Sequence, residues 1–319
     1  MTGGRISEGG PSPVEVPEAL AAAHVRYEGE AGRAWAAALP GLAEAYLGRW
    51  GLRRDGPVAH GVAALVVPVV GADGTPAVLK LQPVTDETAG EPDALRAWGG
   101  DGAVRLLRSD PGTGAMLLER LDPARTLAGI RDDTAALCLL TELLARLTAH
   151  PAPPGMRRLG DVAAGMLRRL PAVLPALADP AERRLLDACG RAVRELAGEP
   201  GDRLLHWDLH YENVLAPLPG SGRGPWLAID PKPLAGDPGF ELLPALRNRW
   251  DDVTATGDVP RAVRRRFDLM TDVLGLDRAR ARGWTLGRVL QTCLWETEGG
   301  ATVLDPAQRA IAETLSPVG

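Results

Sequence analysis

The sequence predicts an α+β protein with a small, mostly β N-terminal lobe and a larger helical C-terminal lobe. Two observations predict it. Between Val62 and Glu119, short runs of apolar and β-branched residues alternate with Asp-Gly and Pro-Gly turn signals. Beyond Leu121, apolar residues recur at helical spacing over most of the chain, interrupted by one compact polar stretch, 204–213. The 319 residues suit about two domains of average size.

Taken in order, residues 14 to 50 are rich in Ala and Leu with apolar residues at helical spacing, which predicts one or two helices. Two β-like runs, 62–70 and 77–81, are joined by Gly71-Ala72-Asp73-Gly74-Thr75-Pro76, and that Asp-Gly turn predicts a hairpin. A short helix follows over about 93–98, with Pro92 in its first turn. Strands at 104–107 and 115–119 flank the turn Asp110-Pro111-Gly112-Thr113-Gly114. Helices are predicted over 133–148, 160–177 and 180–196, short strands at 214–216 and 226–229, and further helices over 240–250, 260–274, 277–298 and 306–314. The lobes meet near 119–123. The predicted layout is thus a flexible tail at 1–13, an N-terminal lobe at 14–121 and a C-terminal lobe at 122–319, with a ligand cleft between the lobes.

Composition narrows the function classes. With 45% hydrophobic residues, 24% charged residues and a net charge of −5, the chain reads as a soluble globular protein and lacks the basic excess of a nucleic-acid binder. Its longest apolar run, 62–70, is nine residues and contains Pro68, whereas a membrane span needs about 20. The N-terminus has no apolar signal-peptide core, and Cys138, Cys189 and Cys293 are too few and too far apart for a disulfide framework or a zinc set. A cytoplasmic protein with buried thiols is expected.

Residue usage adds a second signal. Of 36 basic residues only Lys80 and Lys232 are lysine, and asparagine occurs only as Asn213 and Asn248. A coding bias that replaces Lys and Asn wherever Arg, Asp or Gly serves would leave survivors where substitution fails. Lysine, a compact point charge, and arginine, a planar fork, are not interchangeable at such positions.

The chemistry-bearing segment is His206-Trp207-Asp208-Leu209-His210-Tyr211-Glu212-Asn213, followed by an apolar run ending in Asp230. A carboxylate, an amide oxygen five residues on, and a second carboxylate after a short strand suit phosphoryl transfer. Asp208 is the candidate to accept the acceptor hydroxyl's proton, and Asn213 with Asp230 offers hard oxygen ligands to Mg²⁺. Lys80, at the end of a hairpin strand, is the candidate for nucleotide phosphates, with Glu91 or Glu87 to orient it. Each residue also has a plainer use: Asn213 as a turn residue, His206 and His210 as loop braces, and the arginine clusters 261–266 and 278–282 as solvated helix faces.

His-x-Asp-x-x-x-x-Asn with a later strand Asp resembles the protein-kinase-like superfamily, and His210 within it favours the aminoglycoside phosphotransferase branch. The run from Trp226 through Asp230-Pro-Lys232 to Asp237-Pro-Gly-Phe-Glu241, with Leu246-Arg-Asn248-Arg-Trp250, is similar to the streptomycin 6-phosphotransferase (aminoglycoside/hydroxyurea resistance kinase) group. Leu95-Arg-Ala-Trp98, Val104-Arg-Leu-Leu107 and Leu117-Leu-Glu119-Arg-Leu121 fall in the expected order, so the likeness spans residues 59–298. It implies a bilobal protein-kinase-like fold, ATP and Mg²⁺ as cofactors, Lys80 on the phosphates, Asp208 as catalytic aspartate, Asn213 and Asp230 as metal ligands, and the backbone from Glu119 to Leu121 against adenine. A glycine-rich loop is poorly formed, with only Gly56 and Gly61 near the first strand.

The acceptor is expected to be a small cationic aminoglycoside such as streptomycin. Five acids (Asp237, Glu241, Asp251, Asp252, Asp258) against two bases (Arg247, Arg249) lie between 236 and 258, and Glu296 and Glu298 close a later helix beside Trp295. The substrate candidates are therefore Asp237, Glu241, Trp295, Glu296 and Glu298. Two other readings compete: a kinase of another hydroxylated metabolite, and a hydrolase holding a metal through His206, Asp208 and His210.

Overall fold

The computed structural model describes residues 14–316, and the tail expected at 1–13 lies outside them. The described chain divides into two compact units, residues up to Thr85 with Leu106–Arg120, and Asp86–Arg105 with the chain from Leu121 onward.

The smaller unit is an antiparallel sheet backed by one long helix. The helix α1 (Glu18–Trp50) is two helical segments joined at Gly29, whose backbone (φ 59°, ψ −128°) leaves the helical region. The strands are β1 (Arg53–Arg54), β2 (Ala59–His60), β3 (Leu65–Val70), β4 (Pro76–Leu81), β5 (Leu106–Asp110) and β6 (Ala115–Glu119). Their order is β1-β3-β4-β6-β5, with β2 also on β3. The Asp-Gly hairpin is present, pairing Val70 with Pro76. The strands bury one face against α1, where Leu39, Ala43, Tyr46 and Leu47 meet Leu65, Val67, Leu79 and Leu117. Tyr46 and Arg49 bind Asp110 at 2.7 and 2.6 Å, fastening the end of α1 to the β5–β6 turn.

The larger unit begins with α2 (Glu91–Trp98). Residues 86–105, expected in the small lobe, pack here instead. Trp98 Nε1 donates to Leu147 O at 3.1 Å, and Val104 N donates to Ala228 O at 2.9 Å. That second bond engages Val104 before it can join the sheet, so the strand expected from 104 starts at Leu106. There follow β7 (Leu121–Thr126), α3 (Asp133–Thr148), α4 (Leu159–Val173), α5 (Pro180–Leu196) and β8 (Arg203–Leu205). Next come β9 (Val214–Pro217), β10 (Leu227–Ala228), β11 (Leu234–Gly236), α6 (Leu242–Arg247), α7 (Trp250–Ala255), α8 (Val259–Leu274), α9 (Arg278–Glu298) and α10 (Pro306–Leu315). Two small antiparallel ribbons, β10-β9-β7 and β11-β8, frame the polar stretch between them. Sequence periodicity missed the short strands β1, β2, β8 and β11, and missed β7 because its middle, Asp122-Pro123-Ala124-Arg125, carries no apolar alternation.

The helix expected over 240–250 is broken. A 3₁₀ turn over Pro238–Glu241 precedes α6, and Arg249 sits in the left-handed region (φ 47°) between α6 and α7. Its guanidinium donates to Ala128 O at 2.7 Å and to Ile130 O. Arg266, expected on a solvated face, is buried: it donates to Leu246 O and Asn248 O at 3.0 and 2.6 Å and pairs with Asp133 at 2.7 Å. It thereby satisfies carbonyls that the end of α6 leaves open. Among the described residues no helix is long and apolar enough to cross a membrane.

The bend in α1 makes a local prediction. A Cβ on Gly32 would stand 2.1 Å from His24 O, a backbone atom that cannot rotate away. Gly32→Ala is expected to destabilise the protein by about 1–3 kcal/mol, the usual cost of forced overpacking, read as a lower denaturant midpoint.

Candidate active site

The polar stretch after β8 is a loop held from three sides. His206 is fully buried; its Nε2 donates to Ile229 O at 2.9 Å and its Nδ1 accepts from Asp208 N at 3.3 Å. Both ring nitrogens are thus used, and together they fix the Nε2–H tautomer. Burial pushes the imidazole pKa down to about 3, so the ring stays neutral. On the next residue the backbone turns left-handed, with Trp207 at φ 67°. Its N–H donates to both oxygens of Glu241, at 2.9 and 3.0 Å. Glu241 is itself fully buried, and burial raises its carboxyl to about pH 7.

Asp208 follows, half-buried. Burial raises its pKa, against the opposing charges of His210, Arg288 and Lys232. Asn213 ends the 3₁₀ turn Tyr211–Asn213 and donates its Nδ2 to Asp208 O at 2.9 Å, so its Oδ1 is the atom left for a cation. Ile229 N donates to Asn213 O at 2.9 Å, tying the β10 end to the same turn. Asp230 then takes a left-handed backbone (φ 56°), and its Oδ2 pairs with Lys232 Nζ at 3.0 Å. Lys232 N in turn donates to His206 O at 2.9 Å. The structure therefore brings Asp208, Asn213, Asp230, Lys232 and His206 into one hydrogen-bonded ensemble.

That geometry opposes the hydrolase reading. His206 has no free lone pair, and His210 Nδ1 bonds Glu212 at 2.8 Å. Among the described residues, no group of three or more His, Cys, Asp or Glu is placed to hold a metal ion.

A model of the aminoglycoside/hydroxyurea antibiotic resistance kinases matches residues 49–300. The chain belongs to that family. It is 60% identical to a streptomycin 6-kinase of Streptomyces glaucescens, over 95% of this chain and 97% of the relative. It is also 57% identical to a hydroxyurea phosphotransferase of Kitasatospora aureofaciens, over 95% of this chain and 86% of the relative. Among solved structures, it resembles a thermostable aminoglycoside phosphotransferase mutant crystallised with ADP and hygromycin B (TM-score 0.56, 13% identity, 86% of this chain and 98% of that one). A macrolide 2'-phosphotransferase of Brachybacterium faecium is similar too (TM-score 0.55, 19% identity, 89% and 99%). These structural likenesses give the fold, which is protein-kinase-like.

The other candidate residues lie on several elements of the two units. Lys80 lies on the central strand β4, 5% exposed, in register with Val66 and Met116. Glu119 ends β6 and Leu121 begins β7. Glu91 is the first residue of α2 and is fully buried; Glu87 lies in the preceding loop, where its charge acts on Arg157 and Arg288.

The acids expected to face an acceptor are occupied within the fold. Asp237 caps the following 3₁₀ turn through Gly239 N and pairs with Arg280 at 2.5 Å. Glu241 holds Trp207. Glu296 accepts from Gln308 at 3.1 Å, and Glu298 pairs with Arg169 at 3.0 Å. Of that group Trp295 and Glu298 are exposed, at 38% and 40%, and the Trp295 ring lies 6.0 Å from Trp207.

Sequence reasoning missed the supports of the loop. Arg288 is buried against the rings of Trp207, Trp295 and Phe240 at 5.1–5.9 Å, and burial lowers its pKa to about 10. Arg157 covers Trp207 at 4.1 Å. Tyr211 N donates to Asn248 Oδ1 at 3.3 Å, and Tyr211 OH to Asp133 at 3.1 Å. Arginine is so common in this chain that no rarity marks these two, whereas the rarity of Asn248 was a usable signal.

His206 carries a pH prediction. Its pKa is depressed on folding, so its contribution is present above 6.5 and lost as pH falls toward about 3. By pH 5 the loss is about 2 kcal/mol. His206→Gln can still donate to Ile229 O and does not titrate. Denaturant unfolding at pH 7.5 and pH 5 is expected to show a steeper fall for the native protein than for the variant.

Proposed function

We propose that this kinase transfers the γ-phosphoryl group of ATP to a hydroxyl of streptomycin, with Mg²⁺. The observation that carries the chemistry is the hydrogen-bonded loop that holds Asp208 beside Asn213 and Asp230. The likeness to streptomycin 6-kinases over almost their whole length supports the acceptor and the 6-position.

In this reading Asp208 orients the acceptor hydroxyl and takes its proton as the oxygen attacks the γ-phosphorus. The bond from that phosphorus to the β,γ-bridging oxygen breaks, and ADP leaves with the electron pair. Asn213 Oδ1 and the Asp230 carboxylate are oxygen donors suited to Mg²⁺, which when bound neutralises phosphate charge. Lys232 holds Asp230 in place. Lys80 binds nucleotide phosphates, with Glu91 as the carboxylate that orients it and Glu87 as the rival. The backbone from Glu119 to Leu121 takes the adenine. The small unit is the nucleotide-binding part, and the large unit carries catalysis and the acceptor, for which Trp295 is the open aromatic wall.

Asp237, Glu241 and Glu296 are hydrogen-bonded within the fold, so their charge does not argue for a dicationic acceptor, and Glu298, 40% exposed, is the acid left to one. Hydroxyurea is the second reading, favoured by the 57% identical relative. Coupled ADP release with streptomycin, hydroxyurea and neutral sugars decides between them. Transfer to streptomycin is expected, and transfer to hydroxyurea alone would move the acceptor while leaving the kinase chemistry intact.

Two substitutions test the roles. Asp208→Asn keeps shape but removes the base, and turnover is expected to fall roughly 10²–10⁴-fold with nucleotide binding retained. Lys80→Arg is expected to lower kcat and weaken nucleotide binding, while Arg53→Lys leaves both unchanged. Equal tolerance at the two positions would remove the role given to Lys80.

A further inference from the structure

The sheet registers place a hairpin tip next to Lys80. His60 faces Leu65 across β2 and β3, and Val66, one residue further along β3, faces Lys80 on β4. The four residues of the tip, Gly61, Val62, Ala63 and Ala64, therefore begin two residues beyond the row of Ala59, Val66 and Lys80, with the row of His60, Leu65 and Leu81 between. Gly61 N closes the tip on Ala64 O at 3.0 Å, and Val62 is 78% exposed. Only two strand residues on each side support this tip, because β2 is Ala59–His60 alone. A two-residue ladder at a sheet edge cannot hold a turn rigidly by itself.

The missing support comes from α1. His24 is 3% exposed, and its Nε2 donates to Ala63 O at 3.1 Å, in the middle of the tip. The ring is fixed on its other sides. Nδ1 faces Glu28 Oε1 at 3.5 Å, and the Trp35 ring lies 4.3 Å away. That last contact exists because α1 bends at Gly29 and folds its first segment back along the second. Gly32, with no Cβ, lets the backbone carbonyl of His24 come close. A bent helix, two glycines and an aromatic wall thus serve to aim one imidazole N–H at one carbonyl. Apart from the last two residues of α1, Arg49 and Trp50, the helix also precedes the segment matched by the family model, residues 49–300.

We propose that His24 is a positioning residue for nucleotide: it holds the 61–64 tip in the conformation that receives the phosphates bound by Lys80. This rests on the ATP-dependent reading above. His24 touches neither nucleotide nor acceptor, so its effect is confined to the nucleotide side. Releasing Ala63 O frees a turn that nucleotide must then order, at the cost of binding free energy.

The test compares His24→Gln with His24→Asn. Glutamine reaches Ala63 O with an N–H; asparagine is equally polar and too short. Direct titration of ATP in the absence of acceptor, and steady-state KM for ATP and for the acceptor, are measured on all three proteins. We expect His24→Asn to weaken ATP binding and raise its KM roughly 10-fold, with the acceptor KM unchanged, and His24→Gln to stay within about 2-fold of the native protein. Hydrogen exchange at 61–64 should quicken in the Asn variant and slow again on adding ATP. Equal ATP affinity in native and Asn proteins, or equal rises in both KM values, overturns the proposal. If the native protein binds no ATP at all, the ATP-dependent reading fails, and exchange at 61–64 still shows whether His24 holds the tip.

Discussion

Glu241, fully buried, accepts the backbone N–H of Trp207 with both carboxylate oxygens, with no Lys or Arg nitrogen within ion-pair distance among the described residues. A non-glycine residue in the left-handed region costs about 1–2 kcal/mol, and Trp207 pays it with a bulky side chain. A charge-assisted hydrogen bond to that amide offsets the cost, and it works only while Trp207 keeps that conformation. Everything downstream hangs from this peptide. Reversing it would turn Asp208 away from His206 Nδ1, and with Asp208 O would go the anchor of Asn213. The burial that lifts the Glu241 carboxyl toward neutrality is the other side of the same arrangement.

A second layer surrounds that anchor. Arg157 and Arg288 stack on Trp207, Arg266 ties Asp133 to the end of α6, and Asn248 receives Tyr211. Cations against aromatic faces and arginines on helix carbonyls are interactions in which a planar guanidinium excels. Lysine persists instead where a compact charge meets one carboxylate, as Lys232 meets Asp230. Three of the four rare residues, Asn213, Asn248 and Lys232, converge on the same loop by three different hydrogen bonds.

The strands of the hairpin, the long helices α3, α5, α8 and α9, and the Asp208–Asn213–Asp230 spacing were legible because each is local: a period, a turn pair or a fixed interval in the chain. The acid excess near 237–258 and 296–298 was legible as composition, but the partners of those acids within the fold were not. Asp237, Glu241, Glu296 and Glu298 find guanidinium groups or amides, some distant in sequence, such as Arg169 for Glu298 and Arg280 for Asp237, while Asp251 and Asp252 are exposed. The break at Asn248 and Arg249 was hidden for the same reason, since the carbonyls that hold Arg249 lie more than a hundred residues upstream. The strand start at 106 was set by Ala228, equally remote.

The chain crosses between its two compact units three times: after Thr85, after Arg105 and after Arg120. During synthesis, the sheet of the small unit is complete once β6 has emerged, long before Ala228 exists to receive Val104. The excursion 86–105 must therefore wait, tethered at both ends to a finished sheet, until more than a hundred further residues have been made. Its apolar residues Ala94, Leu95 and Trp98 stay uncovered for that time. A single cut can free neither unit intact, and a fragment ending at residue 121 would carry that uncovered loop permanently. The small unit is thus a poor candidate for isolation, although its own sheet and helix are continuous in space.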